Sequence, residues 1–345
     1  MHQRPIPETA LAVSSTFLRR LLKFGESSIL ALAGIWAASA LYVDFPVHIV
    51  GILLGFTVVI TMASALIWVR KRYLASGLCI LVVVVVLAWW LTLAPSNNRP
   101  WLPDVADAPW AEVQGDKVTI HNVRNFDYTT ETDYKVNWET RTVDLSKIHA
   151  MDLFMNYWGS PSIAHTILSF EFADAVPIAI SIETRKVVGQ SYSALLGFFR
   201  QYELIYVIGD ERDLIRVRTN YRRGEDLYLY RTKASPAHAR AVFLDYLNTA
   251  NDLRGHPQWY NALTSNCTTN VMPHLTADTG TRMPLDWRLL LNGHADEMAY
   301  EQGRLVSDLP FGELKLRAHI NVAARAADQA PDFSRRIRAG RPGFE

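Results

Sequence analysis

Three apolar runs follow one another near the N-terminus, at about 27–43, 47–69 and 75–94. Little charge interrupts them apart from Asp44 and the cluster Arg70-Lys71-Arg72. Each run approaches the ~20 residues a helix needs to cross a bilayer. The pattern therefore predicts three transmembrane helices within residues 27–94, behind a polar tail formed by residues 1–26. A single cleaved signal peptide does not fit, because the apolar content continues through three segments. The pattern then changes. Residues 95–112, with four prolines, read as a linker. Beyond them, residues 118–123 and 166–172 read as strands, and apolar runs at 152–158, 176–182 and 202–208 as further strands or buried segments. Segments 214–219 and 226–231 flank Arg222-Arg223-Gly224-Glu225 as in a hairpin. Ser235 followed by Pro236 starts the clearest helix, ending near residue 253 with Val242, Phe243, Tyr246 and Leu247 on one stripe. A second helix is expected to begin near Cys267, and one more amphipathic helix after Gly303. The expectation is an α+β catalytic domain over residues 113–325, followed by a basic disordered tail, residues 326–345.

Charge adds orientation. Arg19, Arg20 and Lys23 precede the first run and Arg70-Lys71-Arg72 the third, whereas the loop Asp44-Phe45-Pro46 has no basic residue. The positive-inside rule puts the tail and the second loop in the cytoplasm, so three crossings place residue 95 onward outside, as in a periplasmic domain on a bacterial inner membrane. With 35 Lys and Arg against 34 Asp and Glu, interleaved along the chain, no basic face for nucleic acid is expected.

The chemistry centres on Thr264-Ser265-Asn266-Cys267-Thr268-Thr269-Asn270. Cys79 lies inside an apolar run, so Cys267 is not expected to pair with it. A buried structural thiol is the plain alternative, but every neighbour of Cys267 here is polar. Asn266 suits an N-cap, and a thiol at a helix N-terminus has a lowered pKa and more thiolate. Such a nucleophile needs a base. His165, at the start of a predicted strand, is the choice, ahead of His121 and His274; two helical turns separate His274 from Cys267, which puts its ring out of reach of the sulfur. Glu183, on the following strand, could orient His165 as the third member of a triad or simply pair with Arg185 or Lys186. Arg124 and Asp127 could form an ion pair that fixes a loop, or line a substrate groove. The run Asn156-Tyr157-Trp158-Gly159-Ser160-Pro161, Tyr157 and Trp158 above all, precedes His165 as a pocket wall or oxyanion donor, and Asn266 is a further candidate there. No spacing matches a metal-ligand pattern, and no cofactor is expected.

An early strand histidine in Ala164-His165-Thr166 and a late Asn266-Cys267 helix reverse the papain order. They resemble the circularly permuted NlpC-type papain-like enzymes, including the lecithin:retinol acyltransferase group. Residues 120–275 resemble more closely the periplasmic domain of the Lnb-type lipoprotein N-acyltransferase family, through Arg124-Asn125-Phe126-Asp127-Tyr128, Tyr157-Trp158-Gly159-Ser160 with Ala164-His165, Phe198-Phe199-Arg200-Gln201-Tyr202-Glu203, and Asn266-Cys267-Thr268-Thr269-Asn270. The resemblance implies thioester chemistry. Cys267 would take an acyl chain from a membrane lipoprotein or lipid, with His165 as base and Glu183 orienting it, and pass it to the amine of an N-terminal lipidated cysteine. A cysteine peptidase or amidase acting on cell-wall peptide would use the same dyad. A non-enzymatic membrane scaffold would leave His165 far from Cys267.

Overall fold

A computed structural model describes residues 8–262, 264, 267–276, 286, 288 and 292–345, without the side chains of 8–16, 19, 267 and 268. The chain divides into two compact units. One comprises residues 1–94 with Phe199–Gln201, the other residues 95–198 and 202–345.

The first unit consists of α1 (Glu8–Asp44), α2 (His48–Trp68) and α3 (Arg72–Thr92). Segments Arg20–Asp44, His48–Trp68 and Arg72–Thr92 are long and apolar enough to cross a membrane. Their outward positions stay apolar (Leu32, Ile60 and Ile80 are exposed), as expected where hydrocarbon is the solvent. Small residues let the helices approach. A Cβ on Gly51 of α2 would lie 2.3 Å from the Leu41 carbonyl oxygen of α1, so only glycine fits there. The expected polar tail is largely helical, because α1 begins at Glu8.

The second unit is α+β. Its strands are β1 (Trp110–Gln114), β2 (Lys117–Arg124), the short pair β3 (Asp127–Tyr128) and β4 (Tyr134–Lys135), β5 (Trp138–Asp144), β6 (Ile148–Trp158), β7 (Ser160–Phe172), β8 (Ile178–Arg185), β9 (Glu203–Asp210) and β10 (Glu225–Arg231). The main sheet runs β1-β2-β9-β8-β7-β6-β10, with β5 also paired to β2. Its neighbours are antiparallel except β2 and β9. The helices are α4 (Glu211–Leu214), α5 (Pro236–Gly255), α6 (Cys267–His274), α7 (Ala295–Glu301), α8 (Phe311–Ala318), α9 (Asn321–Ala326) and α10 (Phe333–Arg338).

Strand alternation gives the sheet two apolar faces. On one, Leu168, Phe170, Ile180 and Ile182 pack with Phe243, Tyr246 and Leu247 of α5 and Val271 of α6. On the other, Phe154, Ile167, Ala179 and Val207 pack with Ile215, with Ala324 of α9, and with Phe333 and Ile337 of α10. Helix α5 starts as expected, with Ser235 accepting from the His238 N–H at 3.2 Å.

Four expectations are corrected. The linker is packed on the second unit: Asn97 donates to the last carbonyls of α5, Leu253 and Arg254, at 3.0 Å, and Arg99 pairs with Glu203 at 2.8 Å. Its prolines exclude a long α-helix but not packing, and Pro103 starts a single 3-10 turn, Pro103–Val105. Segment 214–219 is no strand. Asp210 caps the turn into α4 through the Arg212 N–H, and a π-turn follows at Val217–Tyr221. Residues 326–345 are not a disordered tail, because Phe333, Ile337 and Arg338 are buried. Arg338 reaches Asp152 at 2.8 Å and Glu211 at 2.6 Å, and also contacts Glu171. The basic residues that suggested a solvated tail are partly internal counter-ions. After Gly303 there are three short helices, α8 to α10, rather than one.

Candidate active site

Strand β7 carries His165, and its neighbour β8 carries Ser181 and Glu183. Pairing between the two strands runs from Phe170–Ile178 to Ile167–Ser181 and does not extend to His165. At the start of β7 another element takes over: the Ala164 N–H donates to Asn292 Oδ1 at 2.9 Å. The turn Asn292–His294 sits tightly there, since a Cβ on Gly293 would lie 2.3 Å from the Pro161 carbonyl oxygen. His165 thus occupies the point where the sheet opens between β7 and β8. Helix α6, which begins at Cys267, packs against both of these strands.

The His165 ring is largely buried. Its Nε2 lies 2.6 Å from Ser181 Oγ and 3.2 Å from Glu183 Oε1. Ser181 Oγ donates to the same Glu183 oxygen at 2.6 Å. A carboxylate only accepts, and the Ser181 proton is already committed to it, so Nε2 carries the ring proton and the basic lone pair of the neutral ring is on Nδ1. Glu183 is held in turn by Arg218 Nη2 at 2.5 Å, while Arg218 Nη1 donates to the Leu214 carbonyl at 2.5 Å. Burial pushes the Glu183 carboxyl up, but the charges of His165 and Arg218 and hydrogen bonds from His165 and Ser181 outweigh it and hold it well below the usual range. Burial lowers the Arg218 pKa, partly offset by Glu183. The π-turn has a local purpose here, since it carries the arginine that fixes the carboxylate.

This network predicts a pH-dependent stability. A carboxyl whose folded pKa is depressed stabilises fully above its unfolded pKa, and the contribution drains away as pH falls through the folded value. The Glu183 side chain is 27% exposed, which puts the cost of Glu183→Gln at the lower end for an unpaired internal charge, about 1–3 kcal/mol. Urea unfolding of both proteins near neutrality and in acid checks this, and the gap between them is expected to close on acidification.

The other candidates divide. The structure brings Glu183 to His165, not to Arg185 or Lys186. Asn266 and the side chain of Cys267 lie outside the described residues. Arg124 does not pair with Asp127 or line a groove. It is buried and makes a bidentate pair with Asp213 at 2.8–3.1 Å. Asp213 also accepts from the Phe126 N–H and the Tyr128 hydroxyl. Asp127 pairs with Arg216 at 2.6 Å. The Tyr157 hydroxyl is committed, donating to the Gly293 carbonyl and accepting from Lys315 Nζ, both at 2.8 Å, so it is not an oxyanion donor. Trp158 closes the β6–β7 hairpin opposite Ser160. Of the rival histidines, His121 stacks on Trp110. His274 is bound by Tyr206 at 2.7 Å and Asp245 at 2.6 Å, and burial lowers its pKa.

Two residues escaped sequence reasoning. Ser181 and Arg218 sit in ordinary-looking segments, and only the cross-strand register and the π-turn bring them to Glu183. Asn156 lies directly opposite His165. It donates to Glu225 at 2.6 Å, and its buried Oδ1 has no partner among the described residues.

No curated protein and no solved structure matches the chain. The three helices and the family match fit a membrane protein with a periplasmic domain. The matching family model, described as the Lnb N-terminal periplasmic domain, covers residues 134–293, from the start of β4 to the turn that clamps β7, and this stretch is an Lnb-type domain.

Proposed function

We propose that the protein is a membrane-anchored cysteine acyltransferase, with Cys267 as nucleophile and His165 as base, working at the outer face of a bacterial inner membrane on a lipid or lipoprotein. The observation that carries this reading is the oriented histidine. Its Nε2 is fixed by Ser181 and Glu183 at the opening between the two strands against which the Cys267 helix packs. Nδ1 is then the atom that takes the thiol proton. A histidine so held is what a permuted papain-like site would need, and the Lnb-type domain supports a role in lipoprotein processing.

The Cys267 thiolate attacks the carbonyl carbon of an acyl ester, the C–S bond forms, the ester C–O bond breaks, and the leaving alkoxide takes the proton from imidazolium. An amine then attacks the thioester, His165 accepts its proton, and the thiolate leaves. Glu183 stabilises the imidazolium formed in between, as a triad's third member does, and Arg218 keeps that carboxylate in place. Anchoring through three helices raises the effective concentration of lipid substrate.

The test is to incubate the full-length protein in lipid nanodiscs with a synthetic diacylated lipopeptide bearing a free N-terminal cysteine amine. Mass spectrometry of the peptide should show one chain moved from ester to amine. Fatty acid released to water without amide formation would make the protein a hydrolase. A peptide that returns unchanged would leave the scaffold reading.

A further inference from the structure

A cavity of about 310 Å³ lies between α6 and the sheet, within the size range of small-molecule sites. Leu153 of β6, Leu168 of β7, Met272 and Leu275 of α6, Met298 of α7 and Leu305 line it. Thr166 also reaches it, from the face of β7 that carries Leu168, whereas the His165 side chain points to the other face. Two features of the lining decide what it suits. Among the described residues it contains no Phe, Tyr or Trp, so it offers no stacking platform. Most of its walls are aliphatic and thioether groups, which adapt to a flexible chain, beside the polar Thr232, His238 and Gln302. It also contains no carboxylate among those residues, whereas Lys233 and Arg304 stand together on it, joined by the Lys233 N–H to the Arg304 carbonyl at 2.7 Å, and both are exposed.

We propose that this cavity holds one long acyl chain, inserted tail-first, with an anionic head at Lys233 and Arg304. The inference deepens the transferase reading and rests on it for the purpose of the chain: it places the acyl subsite against the helix that starts at Cys267. A carboxylate or a lipid phosphate would serve equally as the head.

The experiment is photocrosslinking of full-length protein in nanodiscs, carrying Cys267→Ala so that no thioester can form. Two probes are used separately: palmitic acid and phosphatidylglycerol, each with a diazirine within the acyl chain. The expected result, for at least one probe, is crosslinked peptides from residues 267–275 or 295–305, and the probe that labels identifies the head group. Labelling should be lost in Ala299→Phe, which fills the cavity, and reduced in Lys233→Glu with Arg304→Glu. Ala295→Phe replaces the first filling variant if that one does not fold. Crosslinks confined to residues 20–92, or undiminished in a folded filling variant, overturn the proposal. The two readings fail separately. A labelled cavity in a protein that never acylates itself would refute transfer alone, and normal self-acylation in the filling variants would refute the cavity alone.

Discussion

His165→Ala is expected to lose acyl transfer by a factor of about 10²–10⁴, the usual contribution of a general base, while the protein stays folded and membrane-bound. The reason lies in what the substitution leaves behind. Ser181 still donates to Glu183, and Arg218 still holds the carboxylate, so no buried charge is orphaned. The expected cost in stability is that of the lost hydrogen bonds, about 1 kcal/mol. A transfer assay paired with urea unfolding separates the two effects. Retained activity would mean that another group takes the thiol proton. His274 is a poor substitute, since Tyr206 and Asp245 occupy its two ring nitrogens.

Arg338→Ala is expected to have the largest effect on stability. Asp152 and Glu211 are fully buried, Glu171 largely so, and Arg338 contacts all three, while Arg231 holds Asp152 at 2.7 Å and Glu171 at 3.0 Å. Burial pushes the Asp152 carboxyl up even with both arginines in place. Removing one partner of a buried ion pair costs about 3–5 kcal/mol, and here it strands more than one carboxylate. The substitution should also release α10 from the sheet, making the C-terminal segment sensitive to protease. In the variant these carboxyls would have folded pKa values above their unfolded ones, so protonation favours the folded state. The gap to wild type is therefore expected to narrow as pH falls. Chemical denaturation across pH checks both size and sign.

The basic C-terminus shows where sequence reading stopped. Arg335, Arg336 and Arg338 read alike along the chain, but only the fold sets Arg338 facing Asp152, 186 residues away. The same holds at the site. His165 and Glu183 were legible because strand alternation and a short connection bring neighbouring antiparallel strands together. Ser181 was equally close in sequence, but a serine in an apolar strand carries no signal of its own. Arg218 sits in a segment whose β-branched residues imitate a strand, and the cap at Asp210 overrides that propensity. Arg124 and Asp127, three residues apart, suggested a local pair. The structure gives each a partner from the 210–216 region instead, since Arg124 is buried at the end of β2 and Asp127 is exposed at the start of β3. The three apolar helices were plain from composition, because a bilayer demands long uninterrupted runs.

The most direct test of the central claim is intact mass spectrometry of the full-length protein after incubation with lipoprotein-containing membranes, compared with Cys267→Ala. The account predicts one fatty-acyl mass on wild type, removed by hydroxylamine and missing from the variant, which still contains Cys79. No adduct on wild type, together with a Cys267 thiol inert to alkylation in the folded protein, would contradict it.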